Sequence, residues 1–165
     1  MNDNVILIGM PGAGKSTVGV LLAKALGYDF IDTDLIIQGR LNNRLYKIIE
    51  EHGIDYFLQA ENKIVSEVSA DRTVIATGGS VVFGKEAMEH LRQMGKVVYI
   101  KLGCDEIKRR VKNITTRGVV MKKDETIEDI YSERAPLYER YADITVDVEN
   151  TTIEEAVEKI LSLLE

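Results

Sequence analysis

The sequence is poor in cysteine and proline and has no excess of positive charge. Its one cysteine, Cys104, cannot form a disulfide within the chain, which favours a reducing compartment, the cytoplasm. The 21 basic residues are outnumbered by 27 acidic ones, so the net charge is −6 and no nucleic-acid partner is expected. The first residues, MNDNVILIGMPG, contain no basic segment and too short an apolar run for a signal peptide or membrane span.

The chain also lacks internal repeats, low-complexity tracts and linker-like stretches. Its 165 residues, 45% of them hydrophobic and only two of them proline, are enough to bury a substantial core. We therefore expect a single domain over residues 1–165, and a monomer as the simplest assembly.

Short apolar runs alternate with longer helical patterns along the whole chain. The runs are typical of buried strands and read NVILIG, YDFID, TVIATGG, VVYIKLG and DITVDV. Helical patterns extend over residues 16–26, 45–69 with a break at Gly53, 105–111 and 126–141, and again after a predicted Thr151–Glu154 capping box. This alternation predicts an α/β fold, a parallel sheet with helices on both faces.

The stretch GMPGAGKST lies between the first strand and the first helix. It matches the phosphate-binding loop pattern G-x-x-x-x-G-K-[ST], whose glycines and helix N-terminus let backbone N–H groups approach phosphate oxygens. Lys15 is then expected to contact the β- and γ-phosphates of ATP, and the Ser16 hydroxyl to bind Mg²⁺. The predicted nucleotide-binding residues are Gly12, Ala13, Gly14, Lys15, Ser16 and Thr17.

Other nucleotide-binding classes fit less well. The sequence contains neither the guanine-binding pattern Asn-Lys-x-Asp nor an Asp-x-x-Gly switch. A motor or assembly ATPase usually needs a longer chain. A compact kinase for a small acceptor remains the favoured class, with the acceptor at the carboxyl edge of the sheet.

Two carboxylates follow the second strand in DFIDTDLI. Asp32 and Asp34 are two residues apart, so both side chains can lie on the same side of the chain. Beside a phosphate-binding loop, Asp32 would help to hold the metal and Asp34 would accept the proton of a substrate hydroxyl. The alternative is a pair of loop aspartates, one of which caps the next helix.

Six segments together resemble the shikimate kinase family: GMPGAGKSTVG, FIDTD, GIDYFLQAE, VIATGGS, KRRVKNITTRG and ERAPLYERYAD. The resemblance covers nearly the whole chain. It implies a P-loop three-layer sandwich with a central five-stranded parallel sheet, helices on both faces and a lid over approximately residues 112–124. An irregular stretch of this length is itself typical of a lid.

The resemblance also implies roles for individual residues. It suggests Asp34 as the base, Arg117 as the lid arginine that contacts the transferring phosphate, Arg110 as a residue packed on adenine, and Phe57, Gly78, Gly79 and Arg134 as acceptor-binding residues. Without the resemblance, Gly78–Gly79 could be only a turn after a strand, and Arg110 a solvated side chain.

The chain departs from the family pattern at three places. Leu58 replaces an arginine expected in Gly-Glu-x-x-Phe-Arg-x-x-Glu, Ser80 replaces the third glycine of a glycine turn, and Gly118 replaces the proline of the lid. Glu61, three residues after Leu58, is then a carboxylate without that arginine as a neighbour. Either it pairs with a nearby cation such as Arg44, or it and position 58 line an acceptor site for a less negatively charged substrate.

These observations favour an ATP- and Mg²⁺-dependent kinase that phosphorylates a hydroxyl of a small metabolite in the cytoplasm. Shikimate is the favoured acceptor. Another hydroxylated acid or amino acid is the first alternative, and a non-catalytic nucleotide-binding regulator is the second.

Overall fold

The computed structural model describes residues 3–111 and 118–165. The strands are β1 (Asn4–Ile8), β2 (Asp29–Asp32), β3 (Thr73–Ala76), β4 (Gly95–Lys101) and β5 (Ile144–Asp147). The helices are α1 (Lys15–Leu26), α2 (Thr33–Leu41), α3 (Leu45–His52), α4 (Ile54–Ser66), α5 (Lys85–Met94), α6 (Cys104–Arg110), α7 (Ile127–Tyr141) and α8 (Ile153–Leu164), with one 3-10 turn at Val81–Phe83.

The five strands form one sheet in the order β2-β3-β1-β4-β5, and every pair is parallel. β1 is central and all five of its residues are buried, as a strand covered on both faces requires. Because the strand order reverses around β1, the loops after β1 and its neighbours meet at one edge of the sheet, where open α/β sheets bind ligands. The predicted α/β fold with a five-stranded parallel sheet is confirmed.

Apolar side chains form a main core around the sheet and a smaller cluster beside it. The smaller cluster joins α2, α3 and α4 to the segment 118–121 through Ile37, Leu45, Ile48, Phe57, Ile64 and Val120. It therefore supports one side of the region where the loops of the sheet edge meet.

Most of the predicted elements are present, with corrections at two helices and one cap. The break at Gly53 is confirmed, because its positive φ of 89° separates α3 from α4. The patterns did not predict α5, although Ala87, Met88, Leu91 and Met94 are buried at helical spacing. They also missed α2, whose buried residues are only Thr33 and Ile37 and which contains a glycine, so its periodicity is weak.

The capping box before α8 lies one residue later than predicted. The Thr152 hydroxyl accepts a hydrogen bond from the backbone N–H of Glu155, and the Glu155 carboxylate accepts one from the backbone N–H of Thr152. Thr151 instead donates its hydroxyl to the Val148 carbonyl. Within the described parts of the chain, no helix is both long and apolar enough to cross a membrane.

Asn4 connects three parts of the fold at the amino edge of the sheet. Its side-chain amide donates hydrogen bonds of 2.9 Å and 3.0 Å to the carbonyls of Ala70 and Met94, and its side-chain oxygen accepts one of 3.0 Å from the Thr73 N–H. The side chain is 2% exposed, so water cannot replace these partners.

We expect Asn4→Ala to lower the free energy of unfolding by about 3 kcal/mol, because it leaves buried polar groups unpaired. Chemical denaturation measures the change. Gln59→Ala, at an exposed position on α4, is the control and should change the free energy by less than about 0.5 kcal/mol. Equal effects of the two variants would contradict this role for Asn4.

Candidate active site

A cavity of about 530 Å³ lies at the carboxyl edge of the sheet. It is bounded by the loop after β1, the start of α2, the turn after β3, and residues from α4, α6, α7 and the segment 118–120. The lining residues are Pro11, Gly12, Gly14, Lys15, Ser16, Thr17, Asp34, Phe57, Thr77, Gly78, Gly79, Ser80, Arg110, Gly118, Val119, Val120 and Arg134.

The loop between β1 and α1 depends on glycine at its first position. Gly9 has φ 151°, and a Cβ there would lie 2.7 Å from the backbone oxygen of Ile100 on β4. The N–H of Ala13 donates to the Met10 carbonyl at 3.1 Å, which closes a turn before α1. Glycine at position 9 is thus required for the path of the chain.

Lys15 is held inside this loop. Its ammonium donates hydrogen bonds of 2.8 Å to the carbonyls of Gly9 and Met10, and the residue is 7% exposed. Burial lowers its pKa to about 8, against the opposing effect of the Asp34 carboxylate. A buried ammonium positioned by two backbone carbonyls is suited to neutralise phosphate charge.

Asp32 caps α2, as one of the two predicted alternatives proposed, and it also contacts Ser16. One carboxylate oxygen accepts from the Asp34 N–H at 2.9 Å and caps α2, and the other accepts from the Ser16 hydroxyl at 2.8 Å. The hydroxyl and the carboxylate therefore lie together at the start of α1, and both are oxygen ligands of the kind that Mg²⁺ prefers.

Asp34 lies on the cavity wall beside Gly78. A Cβ on Gly78 would lie 2.7 Å from Asp34 Oδ1, so the close approach requires glycine. Desolvation, followed by the nearby Asp32 carboxylate, raises the pKa of Asp34 to about 6, while Lys15 opposes the change. The group remains ionised at neutral pH and is more basic than an ordinary aspartate.

Arg134 reaches the cavity from α7 and is 2% exposed. Its Nη2 donates to the Val120 carbonyl, and its guanidinium carbon lies 5.3 Å from the centre of the Phe83 ring. Among the described residues it forms no ion pair, and its Nε has no hydrogen-bond partner. A buried guanidinium with an unpaired N–H is suited to bind an anionic group.

Glu61 lies behind Gly78 and is 2% exposed. Its Oε1 accepts a hydrogen bond of 2.7 Å from the Ser80 hydroxyl, so the predicted alternative of a pair with Arg44 is wrong. Desolvation raises the pKa of Glu61 to about 7; the Ser80 hydrogen bond lowers it and the Asp34 carboxylate raises it further. The serine in place of glycine at position 80 thus has a defined partner.

The structure brings most of the predicted site residues into one cavity. Those that line it are Gly12, Gly14, Lys15, Ser16, Thr17, Asp34, Phe57, Gly78, Gly79, Arg110 and Arg134. Ala13 is buried in the main core instead, and Leu58 packs on the smaller apolar cluster. Arg117 lies outside the described residues.

The sequence reasoning missed Tyr138 and Val120. The Tyr138 hydroxyl donates to the Gly79 carbonyl at 2.6 Å and its ring stacks on Tyr99, so it fixes the glycine turn from α7. Tyr138 lies four residues after Arg134, so the two side chains share one face of the helix, and this spacing could have predicted that Tyr138 lies near the site. Val120 contributes a backbone carbonyl, which no side-chain pattern predicts.

Arg110 lies over the loop between β1 and α1. Its Nη1 would lie 3.9 Å from a Cβ on Gly14, and its Nε donates to Glu106 at 3.0 Å. The hydrogen bond to Glu106 fixes the side chain at the cavity mouth, where a nucleotide base could contact it.

Comparison with known proteins gives one consistent result. A family model described as shikimate kinase matches residues 11–165. The shikimate kinase of Thermodesulfovibrio yellowstonii is 37% identical over 161 residues, which cover 96% of this chain and 92% of that protein. Shikimate kinase from Acinetobacter baumannii in complex with shikimate superposes with a TM-score of 0.90 and 30% identity, covering 98% of this chain and 92% of that one. The Aquifex aeolicus shikimate kinase structure gives a TM-score of 0.82, 32% identity and coverages of 98% and 95%.

The raised pKa of Glu61 predicts a pH-dependent stability. A carboxyl whose pKa rises from 4.5 to about 7 on folding stabilises the fold fully below pH 4.5, and this contribution is lost as the pH rises through 7. Glu61→Gln should remove that part of the decline, worth up to about 3 kcal/mol, and should be more stable than the parent at pH 8. Denaturant titrations at pH 4.5, 6, 7 and 8 measure it.

Glu158→Gln, an exposed position on α8, is the matched control and should follow the parent curve. Some decline will remain in Glu61→Gln, because the pKa of Asp34 is also raised. If the free energy of unfolding of Glu61→Gln and of the parent changed in parallel from pH 4.5 to 8, Glu61 would not be a carboxyl whose pKa rises on folding.

Proposed function

The chain belongs to the shikimate kinase family, an ATP-using family of phosphotransferases with an alcohol acceptor, and we propose that shikimate is its acceptor and that the cavity residues described above carry the reaction. The observation on which this proposal depends is the grouping of Lys15, Asp34 and Arg134 in one cavity. Lys15 suits the phosphates, Asp34 a hydroxyl, and Arg134 a carboxylate.

The residues at the start of α1 fit a bound Mg²⁺. Ser16 and Asp32 place a hydroxyl and a carboxylate side by side, and phosphate oxygens and water would complete the ligand set. Among the described residues, no cluster of three or more His, Cys, Asp or Glu side chains could hold a metal by itself. A metal that binds together with ATP is what such a donor set supports, and when bound it would neutralise phosphate charge.

Asp34 is the proposed base. It would accept the proton of the acceptor hydroxyl, whose oxygen then bonds to the γ-phosphorus as the bond from that phosphorus to the bridging oxygen of ADP breaks. Lys15 would hold the phosphate oxygens on which charge accumulates. Arg117 is proposed to contact the same phosphate.

Arg134 is proposed to bind the acceptor carboxylate through donors that have no carboxylate partner of their own. Phe57, Gly78 and Gly79 would then form the walls that orient the acceptor hydroxyl toward Asp34. Arg110, at the other end of the cavity, would pack on the adenine. Leu58 packs on the smaller apolar cluster and is not among the residues that line the cavity, so it takes no part in this proposal.

We propose that residues 1–165 act as one kinase domain and that 112–124 form its lid. The described end of that segment supports the idea, because Val119 and Val120 line the cavity and Arg134 bonds to the Val120 carbonyl. We also propose a cytoplasmic monomer without a nucleic-acid partner. One chain supplies Lys15, Asp34 and Arg134, and the net charge is −6.

The first test is acceptor-dependent release of ADP. The parent enzyme should release ADP from ATP on addition of shikimate, and Lys15→Met should lower kcat at least about a hundredfold, because a charged contact to the transferring group is worth about 3 kcal/mol. Lys24→Met, an exposed lysine at the far end of α1, is the matched control. Activity of Lys15→Met within threefold of the parent would refute the role of Lys15, and absence of shikimate turnover in the parent would refute shikimate as acceptor.

The second test is the pH profile of the same reaction. If ionised Asp34 is the base, kcat should fall as the pH drops through about 6, the raised pKa of that carboxyl. Asp34→Asn should lower kcat by two orders of magnitude or more and lose this acid limb. A parent profile that is flat down to pH 5 would exclude Asp34 as the base.

A further inference from the structure

Glu61 is a buried carboxyl that the proposed reaction does not use. One oxygen accepts the Ser80 hydroxyl at 2.7 Å, and the other, Oε2, has no hydrogen-bond partner among the described residues. Position 58 lies one turn before Glu61 on the same face of α4, where a basic residue could have paired with it. The residue there is a leucine, and its side chain packs on the smaller apolar cluster. Glu61 is thus held in place by a neutral hydroxyl and not by an ion pair.

The free oxygen lies just behind the cavity wall, next to Gly78. A Cβ on Gly78 would lie 3.1 Å from Glu61 Oε2 and 2.7 Å from Asp34 Oδ1, so both oxygens approach the same point beside Gly78. Both Gly78 and Asp34 line the cavity, and Gly78 has no side chain to separate Glu61 from it. A group on the acceptor that lies next to the Asp34-bound hydroxyl would therefore lie close to Oε2.

The charges around the cavity leave one carboxyl, Glu61, without an ion-pair contact among the described residues. Lys15 is assigned to phosphate and Arg134 to an acceptor carboxylate, and Asp34 faces the hydroxyl. A desolvated carboxylate is stable only with a proton or a cation nearby. Burial raises the pKa of Glu61 to about 7, although the charges of Arg134 and Lys15 lower it, so these two cations offset the cost of burial only in part.

We propose that the pocket also accepts small hydroxy acids that carry a protonated amine, with Glu61 Oε2 binding the amine and Ser80 positioning Glu61. The inference rests on the proposed function, since Arg134 again takes the carboxylate and Asp34 the hydroxyl. The chemistry is unchanged: the acceptor oxygen bonds to the γ-phosphorus, its proton passes to Asp34, and ADP leaves. The product is an O-phosphorylated amino acid.

Acceptor pairs that differ only in the amine test the proposal. L-Serine is compared with 3-hydroxypropanoate, and L-homoserine with 4-hydroxybutanoate, by ADP release and by phosphorus NMR of the product. For at least one pair, kcat/KM should be ten times or more higher for the member with the amine. Equal values within both pairs, or preference for the acids without amine, would overturn the proposal.

Two variants show whether Glu61 is responsible. Glu61→Gln keeps an oxygen for Ser80 and removes the charge, so the ratio of kcat/KM for the amino acid to kcat/KM for shikimate should fall at least tenfold. Ser80→Ala should lower the same ratio by a smaller factor, mainly through KM, because the carboxylate stays but loses the group that positions it. An unchanged ratio in Glu61→Gln would overturn the assignment.

Leu58→Arg gives a third measurement. An arginine three residues before Glu61 on the same helix would pair with the carboxylate and compete with the amine. The ratio of kcat/KM for the amino acid to kcat/KM for shikimate should therefore fall, and the KM for shikimate should decrease. Since Leu58 is partly buried, Glu61→Gln remains decisive if this variant is unstable. Turnover of shikimate without any preference for amines would overturn this inference alone, whereas turnover of no acceptor would contradict the proposed function itself.

Discussion

The site depends on keeping charged groups out of water at the edge of a parallel sheet. Lys15 shows the constraint most directly, because its buried ammonium is compensated by two backbone carbonyls of the loop that it ends. One of them belongs to Gly9, whose backbone passes so close to the Ile100 carbonyl of β4 that a Cβ would not fit there. The position of one charge is thus set by the packing of β1 against β4.

The same constraint explains the other polar contacts of the cavity. Asp32 is bonded to Ser16 and to the start of α2, Glu61 to Ser80, and Tyr138 to the Gly79 carbonyl. Each contact joins a loop after a strand to a helix, so the loops are fixed relative to one another before any ligand binds. Such preorganisation is what electrostatic catalysis requires. At the opposite edge, Asn4 performs a comparable structural function by joining three segments through its side chain.

The parts of the protein that were predictable are those with a local signature. The phosphate-binding loop has a fixed spacing, and the strands are continuous apolar runs, so both could be located from neighbouring residues alone. The partner of Glu61 could not be found in this way, because Ser80 is 19 residues away and the contact depends on how α4 packs against the 3-10 turn Val81–Phe83. The bond from Arg134 to Val120 involves a backbone carbonyl, which carries no sequence signal. The weak periodicity of α2 hid a helix for a different reason, since it buries few residues.

The tight fit around Gly79 restricts how this protein can diverge. A Cβ on Gly79 would lie 2.7 Å from Pro11 Cδ and 3.3 Å from Arg134 Nη1, so the turn after β3 is confined between the phosphate loop and the buried arginine. Mutations in the turn itself would damage nucleotide and acceptor binding together, and selection would remove them. Inherited change in acceptor preference is therefore expected at positions other than these glycines, such as Ser80, which follows Gly79, and Leu58 on α4.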